Sequence, residues 1–241
     1  MSISQDVIEE LAPLGKLRAG INYGNPVLAR RDSATGEISG VAVDLARELG
    51  LRLGLPVEIV GFEAAGKLFE AAKTAAWDVA FLAVDPDRAA EVDFTAPYIE
   101  IDGTYLLPLG SKLGGIDDVD RQGVRVGISQ GSAYDLFLSR NLRRAQLIRA
   151  PNPDAAFQLF FAGTVDVLAG VRQHLVANAD KLAGARVLAE RFMAIGQAMG
   201  VPKGRNQAAR YLREFIEDVK SSGFVARAIE KAGVRGVTVP R

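Results

Sequence analysis

The chain of 241 residues carries 29 basic and 29 acidic side chains, one histidine and no cysteine, and 49% of its residues are hydrophobic. That length holds one large domain or two modest ones, each with a proper core. A sequence without cysteine excludes disulfides, thiol chemistry and Cys-rich zinc or iron–sulfur sites, one histidine argues against a His-based zinc enzyme, and zero net charge argues against broad nucleic-acid binding. No metal and no cofactor are expected.

Residues 1–16 contain Asp6, Glu9 and Glu10 and lack the basic-then-apolar pattern of a secretory leader. No apolar run reaches the roughly 18–20 residues that cross a bilayer. Two locations therefore stand as expectations: a mature exported protein, or a cytoplasmic one.

Short β-branched runs then alternate with helical stretches, the pattern of an α/β protein with mainly parallel sheets. Leu17-Arg-Ala-Gly-Ile21 reads as a strand, and residues 40–53 as a helix with Val41, Leu45, Leu49 and Leu53 on one face. A strand at 57–60, a helix at 67–74 and a buried strand at 78–82 complete a β-α-β-α-β unit. The same grammar recurs in strands at 124–128, 146–149 and 166–169 with helices at 134–141 and 154–161. Even the wording repeats: Leu17-Arg-Ala-Gly-Ile21 against Val124-Arg-Val-Gly-Ile128, and Trp77-Asp-Val-Ala80 against Val165-Asp-Val-Leu168. Two lobes of similar build are expected. Extended connectors at 104–107 and 195–201 take the chain into the second lobe and back, before helices at 207–220 and 224–232. The boundaries read as 1–104 with 197–241 for the first lobe and 105–196 for the inserted second, with a ligand cleft between them.

Open parallel sheets bind ligands beyond the carboxyl ends of their strands. There the first lobe places Asn22-Tyr-Gly-Asn-Pro26, either a ligand-facing loop in which Tyr23 stacks and Asn22 or Asn25 hydrogen-bonds, or an ordinary turn. After the third strand, Asp85 reads as a helix N-cap, Pro86 as the first helical residue and Asp87 as an acid at the positive helix end. Arg88 then falls in the first helical turn, where a cation is disfavoured. An anionic partner other than the helix explains it, and its planar fork suits a carboxylate. In the second lobe Gln130-Gly-Ser-Ala-Tyr134 opens a helix: Gly131 allows close backbone approach, Ser132 caps, and the first-turn N–H groups form an anion site. His174, Trp77 and Phe81 read as structural, and Arg172 as either a surface charge or a ligand contact. The Gly-Ser-Ala at 131–133 lacks the Gly-x-Ser-x-Gly elbow of a serine nucleophile, and no Gly-Lys-Ser/Thr phosphate loop is present.

In this order the motifs resemble the family 3 extracellular solute-binding proteins, the polar amino-acid binders of ABC transporters. Leu17 to Ile21 and the Gly-x-x-x-Gly-x-x-x-Asp pattern at 36–44 match the family's start. Arg88 followed by Asp93-Phe-Thr-Ala-Pro-Tyr98 resembles its most specific stretch, Val124 to Ser132 its second-lobe ligand loop, and Met199 to Gly204 its return segment. The resemblance implies a two-lobed type II periplasmic-binding fold, α/β, closing on a small ligand. It implies that Arg88 holds the ligand's α-carboxylate with donors from Ser132 and Ala133, beside Tyr134. The loop at 22–25 and the turn at 62–66, from Phe62, would flank the ligand's side chain. It further implies periplasmic localisation, ABC permease subunits as partners, no nucleic acid, and a monomer.

Two departures shape the expected ligand. Family members carry small hydroxyl residues ahead of the arginine, where this chain has Ala80, Phe81, Ala83 and Val84. The position of the acid that takes the ligand ammonium falls near Val171, with Arg172 beside it. A buried ammonium without an anionic partner is costly. The expected ligand is thus a small carboxylate, not necessarily an α-amino acid, with Arg172 meeting any second anionic group. Alternatives are a lyase resembling cyclohexadienyl dehydratase, with Glu63, Asp85 or Glu100 as general acid, and a cytosolic sensor or orphan binder.

Overall fold

A computed structural model describes residues 3–240. In chain order the elements are α1 (Gln5–Leu11), β1 (Leu17–Asn22), β2 (Arg30–Arg31), β3 (Ile38–Ser39), α2 (Val41–Leu53), β4 (Val57–Phe62), α3 (Ala65–Glu70), β5 (Val79–Ala83), β6 (Val92–Phe94) and β7 (Ile99–Leu107). They continue with β8 (Arg125–Ser129), α4 (Ala133–Asn141), β9 (Gln146–Ala150), α5 (Pro153–Phe161), β10 (Val167–Val171), α6 (Arg172–Ala179), β11 (Arg186–Val187), β12 (Met193–Pro202), α7 (Asn206–Ser221) and α8 (Phe224–Lys231). Two compact units result: Met1–Glu100 with Gly196–Arg241, and Ile101–Ile195. The chain leaves the first within β7 and returns within β12.

In the first unit β4, β1 and β5 run parallel in that order, with Asn22 opposite Phe62, and β12 pairs antiparallel with β5. In the second unit β9, β8 and β10 run parallel in the same relative order, and β7 pairs antiparallel with β10. Each unit thus puts its second strand outside its first and its third inside. The innermost parallel strands β5 and β10 are buried at every position, as strands covered on both faces must be.

Local sequence explains the elements. In α2 the stripe Val41, Leu45, Leu49 and Leu53 is buried, and Gly54 ends the helix in the left-handed conformation (φ 67°) that a Cβ would disfavour. Asn152 caps α5 by accepting the Ala155 N–H, with Pro153 at the first turn. Trp77 is fully buried with Leu68, Ala80, Leu82 and Val92, its indole N–H donating to the Leu68 carbonyl at 2.8 Å. Phe81 is equally buried and meets Tyr98 edge-on.

Several elements differ from the sequence expectation. The helix expected at 67–74 starts two residues earlier and tightens to a 3₁₀ turn at Ala71–Thr74. Past Asp85 there is only one 3₁₀ turn, Arg88–Ala90, because β6 begins at Val92 and leaves no room for a longer helix. The expected connectors are instead the long strands β7 and β12. The periodicity did not bring out α1, the β2–β3 hairpin or α6: each is short, and α6 buries only Leu175 and Asn178.

Candidate ligand-binding site

The first unit's candidate residues gather at the carboxyl edge of its parallel strands. Asn22 ends β1, Phe62 ends β4 and Ala83 ends β5. The loop between them is tightly built. The buried Asn22 accepts the Gly24 N–H through Oδ1 at 3.0 Å, Asn25 accepts the Val27 N–H at 3.1 Å, and the Tyr23 N–H donates to the Phe62 carbonyl at 2.9 Å. Both asparagine carbonyl oxygens are thus at work as turn formers, the local role such residues fill best. The Tyr23 ring is partly exposed beneath the Arg31 guanidinium, 5.7 Å from its centroid.

Arg88 is only 1% exposed. Its Nη1 donates to the Ala83 carbonyl at 2.9 Å, tying the guanidinium back to the end of β5. Asp85 shapes the turn that carries it, its carboxylate accepting the Asp87 N–H at 2.9 Å and its carbonyl the Ala89 N–H. Burial pulls Arg88 down to about 10 from an ordinary 12.5, with Asp85 opposing the shift. The group remains a cation at neutral pH.

The second unit presents the corresponding edge at the ends of β8 and β10. Ser132 caps α4, Oγ accepting the Asp135 N–H at 3.0 Å, with Ala133 and Tyr134 in the first turn. Burial pushes the Tyr134 phenol up to about 12 against hydrogen bonds toward Ser132 and Ser129, so it stays neutral and protonated. Asp135, which the sequence reading passed over, is buried and returns the favour by accepting the Gly131 N–H at 2.8 Å. The Ser-x-x-Asp spacing, close to a capping box, was the signal for it. Arg149 meets the same carboxylate at 3.0 Å.

Val171 is buried at the junction of β10 and α6. Arg172 starts α6, and its fork is committed within the unit. Nε donates to Asp102 at 3.0 Å, Nη1 to the Leu188 carbonyl at 2.8 Å, and Nη2 to the carbonyls of Ala189 and Glu190. The fork of Arg172 thus clamps the 188–190 segment to the start of α6. His174 reaches Asp154 at 3.2 Å and Asn178, a structural setting. Of the acids weighed for catalysis, Glu63 accepts from Lys67, Asp85 shapes the Arg88 turn, and the Glu100 backbone bridges to Thr238.

Among the described residues no helix is long and apolar enough to cross a membrane. The ABC transporter glutamine-binding protein GlnH of Bacillus subtilis is 21% identical over 229 residues, covering 91% of this chain and 81% of that protein. Among solved structures, a mutant of ArgBP from T. maritima superposes with a TM-score of 0.81 at 22% identity, covering 94% of this chain and 99% of the other. The ancestral amino acid-binding protein AncCDT-1, a precursor of cyclohexadienyl dehydratase, superposes with a TM-score of 0.78 at 22% identity, covering 93% and 97%. The fold is the type II periplasmic-binding architecture. The sequence profile of the bacterial extracellular solute-binding proteins, family 3, spans residues 17–234, and by that match the chain belongs to this family.

Proposed function

We propose that the protein captures a small carboxylate-bearing ligand, an amino acid or related organic acid, for an ABC transporter. The observation that carries this reading is the buried Arg88 guanidinium at the carboxyl edge of the first unit's sheet. A fork so placed offers a carboxylate charge and orientation together, in surroundings where both count for more than in water. Ser132 and Ala133, at the corresponding edge of the second unit, offer a hydroxyl and first-turn amides suited to an anion. Tyr23 and Phe62 flank the rest of the ligand. Contacts from both units, made better in the closed form, would couple binding to closure of the two lobes. The description of the family as extracellular solute-binding proteins and the name of the B. subtilis relative support an exported protein that delivers its ligand to an ABC transporter, in this proposal as a periplasmic monomer.

Val171 stands where the family's ammonium-binding acid is expected, and it is a buried aliphatic residue. The ligand in this reading need not carry an α-ammonium, and keto, hydroxy and dicarboxylic acids rank with amino acids as candidates. Calorimetry across those classes, with wild type and Arg88→Ala, tests the proposal. A micromolar or tighter carboxylate ligand lost by the mutant is the expected result. Equal affinity in the mutant overturns the assignment of Arg88.

A further inference from the structure

The second unit holds a cavity of about 520 Å³ that shares no residue with the candidate site described above. Three aromatic rings form one wall. The Phe192 ring lies 4.7 Å from that of Tyr105 and 6.0 Å from that of Phe137, the latter pair within 22° of parallel. Tyr105 is buried and the two phenylalanines are partly so, leaving ring surface toward the cavity. On the rim are the exposed Arg143 and Arg144.

Asp120 makes that rim specific. Its carboxylate accepts the backbone N–H groups of Arg143 at 3.0 Å, Arg144 at 2.7 Å and Ala145 at 2.9 Å. Those donors, the Ala145 N–H foremost, hold the Asp120 carboxyl below its usual range and satisfy the charge locally. The same contacts fix the backbone from which two adjacent guanidinium groups project. An apolar wall rimmed by a pair of cationic forks is the combination that selects a flat ring bearing one carboxylate, and the volume suits such a ligand. The exposed Asp117 on the rim disfavours a second negative charge. We propose that this cavity is a second ligand site, taking a small aromatic monocarboxylate with its ring against Phe137 and Phe192 and its carboxylate on Arg143 and Arg144.

The test is a titration of the isotope-labelled full chain with phenylacetate, followed by amide NMR, in the Arg88→Ala background so that binding at the first site does not confound it. Acetate, benzyl alcohol and phenylalanine serve as comparison ligands. The expected result is shifts confined to amides around residues 105, 116–120, 137–145 and 192. Phenylacetate should bind about tenfold or more tightly than acetate or benzyl alcohol. Phenylalanine binding as well as phenylacetate would assign the Asp117 edge to the ammonium, while weaker binding restricts the site to simple acids, and both outcomes support it. The double variant Arg143→Ala/Arg144→Ala, altering only exposed side chains, should weaken phenylacetate about tenfold or more, and Phe137→Leu should weaken it while the thermal transition is retained. Shifts elsewhere, or a double variant with unchanged affinity, would overturn the proposal whether or not Arg88 binds a carboxylate.

Discussion

Arg18 grips Asp78 in a two-pronged ion pair, Nε to Oδ2 at 2.9 Å and Nη2 to Oδ1 at 2.8 Å, while the Arg18 backbone N–H reaches the same carboxylate at 3.2 Å. Arg125 and Asp166 repeat it in the second unit at 3.0, 2.8 and 2.8 Å. Each pair joins the first strand of its unit to the residue ahead of the third. The settings differ: the Asp78 side chain is 0% exposed and also meets Arg205, whereas Asp166 is 41% exposed. Removing one partner of a buried pair strands a charge, so Asp78→Ala should cost about 3–5 kcal/mol. Asp166→Ala, with solvent to screen the remaining arginine, should cost about 1 kcal/mol. Urea unfolding of the two variants checks the contrast, and equal losses would sink this account.

These pairs also show why so much of the fold was legible. The repeated wording at 17–21 and 124–128, and at 77–80 and 165–168, encodes one device used twice. The arginine binds the aspartate, and the glycine two residues after the arginine is roofed by the residue before that aspartate. A Cβ on Gly20 would lie 3.0 Å from Trp77, and one on Gly127 would lie 2.9 Å from Val165. Buried strands and amphipathic helices such as α2 announce themselves by period. Arg172 does not: its partners lie 70 residues back and 16–18 ahead, and spacing along the chain carries no trace of them. For the same reason the cavity wall of Tyr105, Phe137 and Phe192, drawn from three distant segments, left no mark in the pattern.

The loop at 22–25 leans on β4 so closely that its glycine has no alternative. A Cβ on Gly24 would stand 2.0 Å from the Glu63 backbone carbonyl oxygen, an obstacle that no side-chain rotation relieves. Gly24→Ala should destabilise the first unit by about 1–3 kcal/mol. Because the displaced segment carries Asn22, Tyr23 and Asn25, it should also weaken ligand binding. Thermal unfolding together with calorimetry reads both, and a variant as stable as wild type would refute the packing argument.

Arg172 and Arg88 are both arginines after a third parallel strand, and they should behave oppositely when changed. Arg172→Ala leaves Asp102 with the Arg191 contact at 3.2 Å, takes the guanidinium donor from the Ala189 carbonyl and leaves the carbonyls of Leu188 and Glu190 to the Thr104 hydroxyl. Stability should fall by about 1–3 kcal/mol with ligand affinity changed little. Lysine at the same position should recover only part of the loss, since one ammonium cannot span the fork. A large affinity loss at unchanged stability would restore Arg172 to the ligand.

Acid should weaken the second unit through Asp120 and Asp166. Three backbone N–H donors, with Ala145 the strongest, hold the Asp120 carboxyl below its ordinary range, and the Arg125 side chain does the same for Asp166. A carboxyl whose folded pKa is depressed contributes stability above its unfolded pKa, about 3.9, and that stability drains away as pH falls through the folded value. Melting temperatures of wild type should therefore drop below about pH 4. Asp120→Asn, which no longer titrates there, should be less stable at pH 7 and less sensitive to acid, and an unchanged slope would contradict the linkage.

Alkali should act on ligand binding through Arg88. Burial brings this guanidinium down to about 10, so it is charged at pH 7 and sheds its proton as pH rises through that value. A carboxylate ligand binds only the protonated form in this reading, and by linkage it raises the pKa it depends on. Affinity should be flat from about pH 6 to 9 and then fall, approaching tenfold per pH unit once the free protein's Arg88 has titrated. Arg88→Lys should keep a cation but lose the fork, weakening binding throughout by about 2 kcal/mol or more. Calorimetry at pH 7 through 11 separates these behaviours. Wild-type affinity that holds constant across pH 10 while the fold persists would mean that the carboxylate rests on some other group.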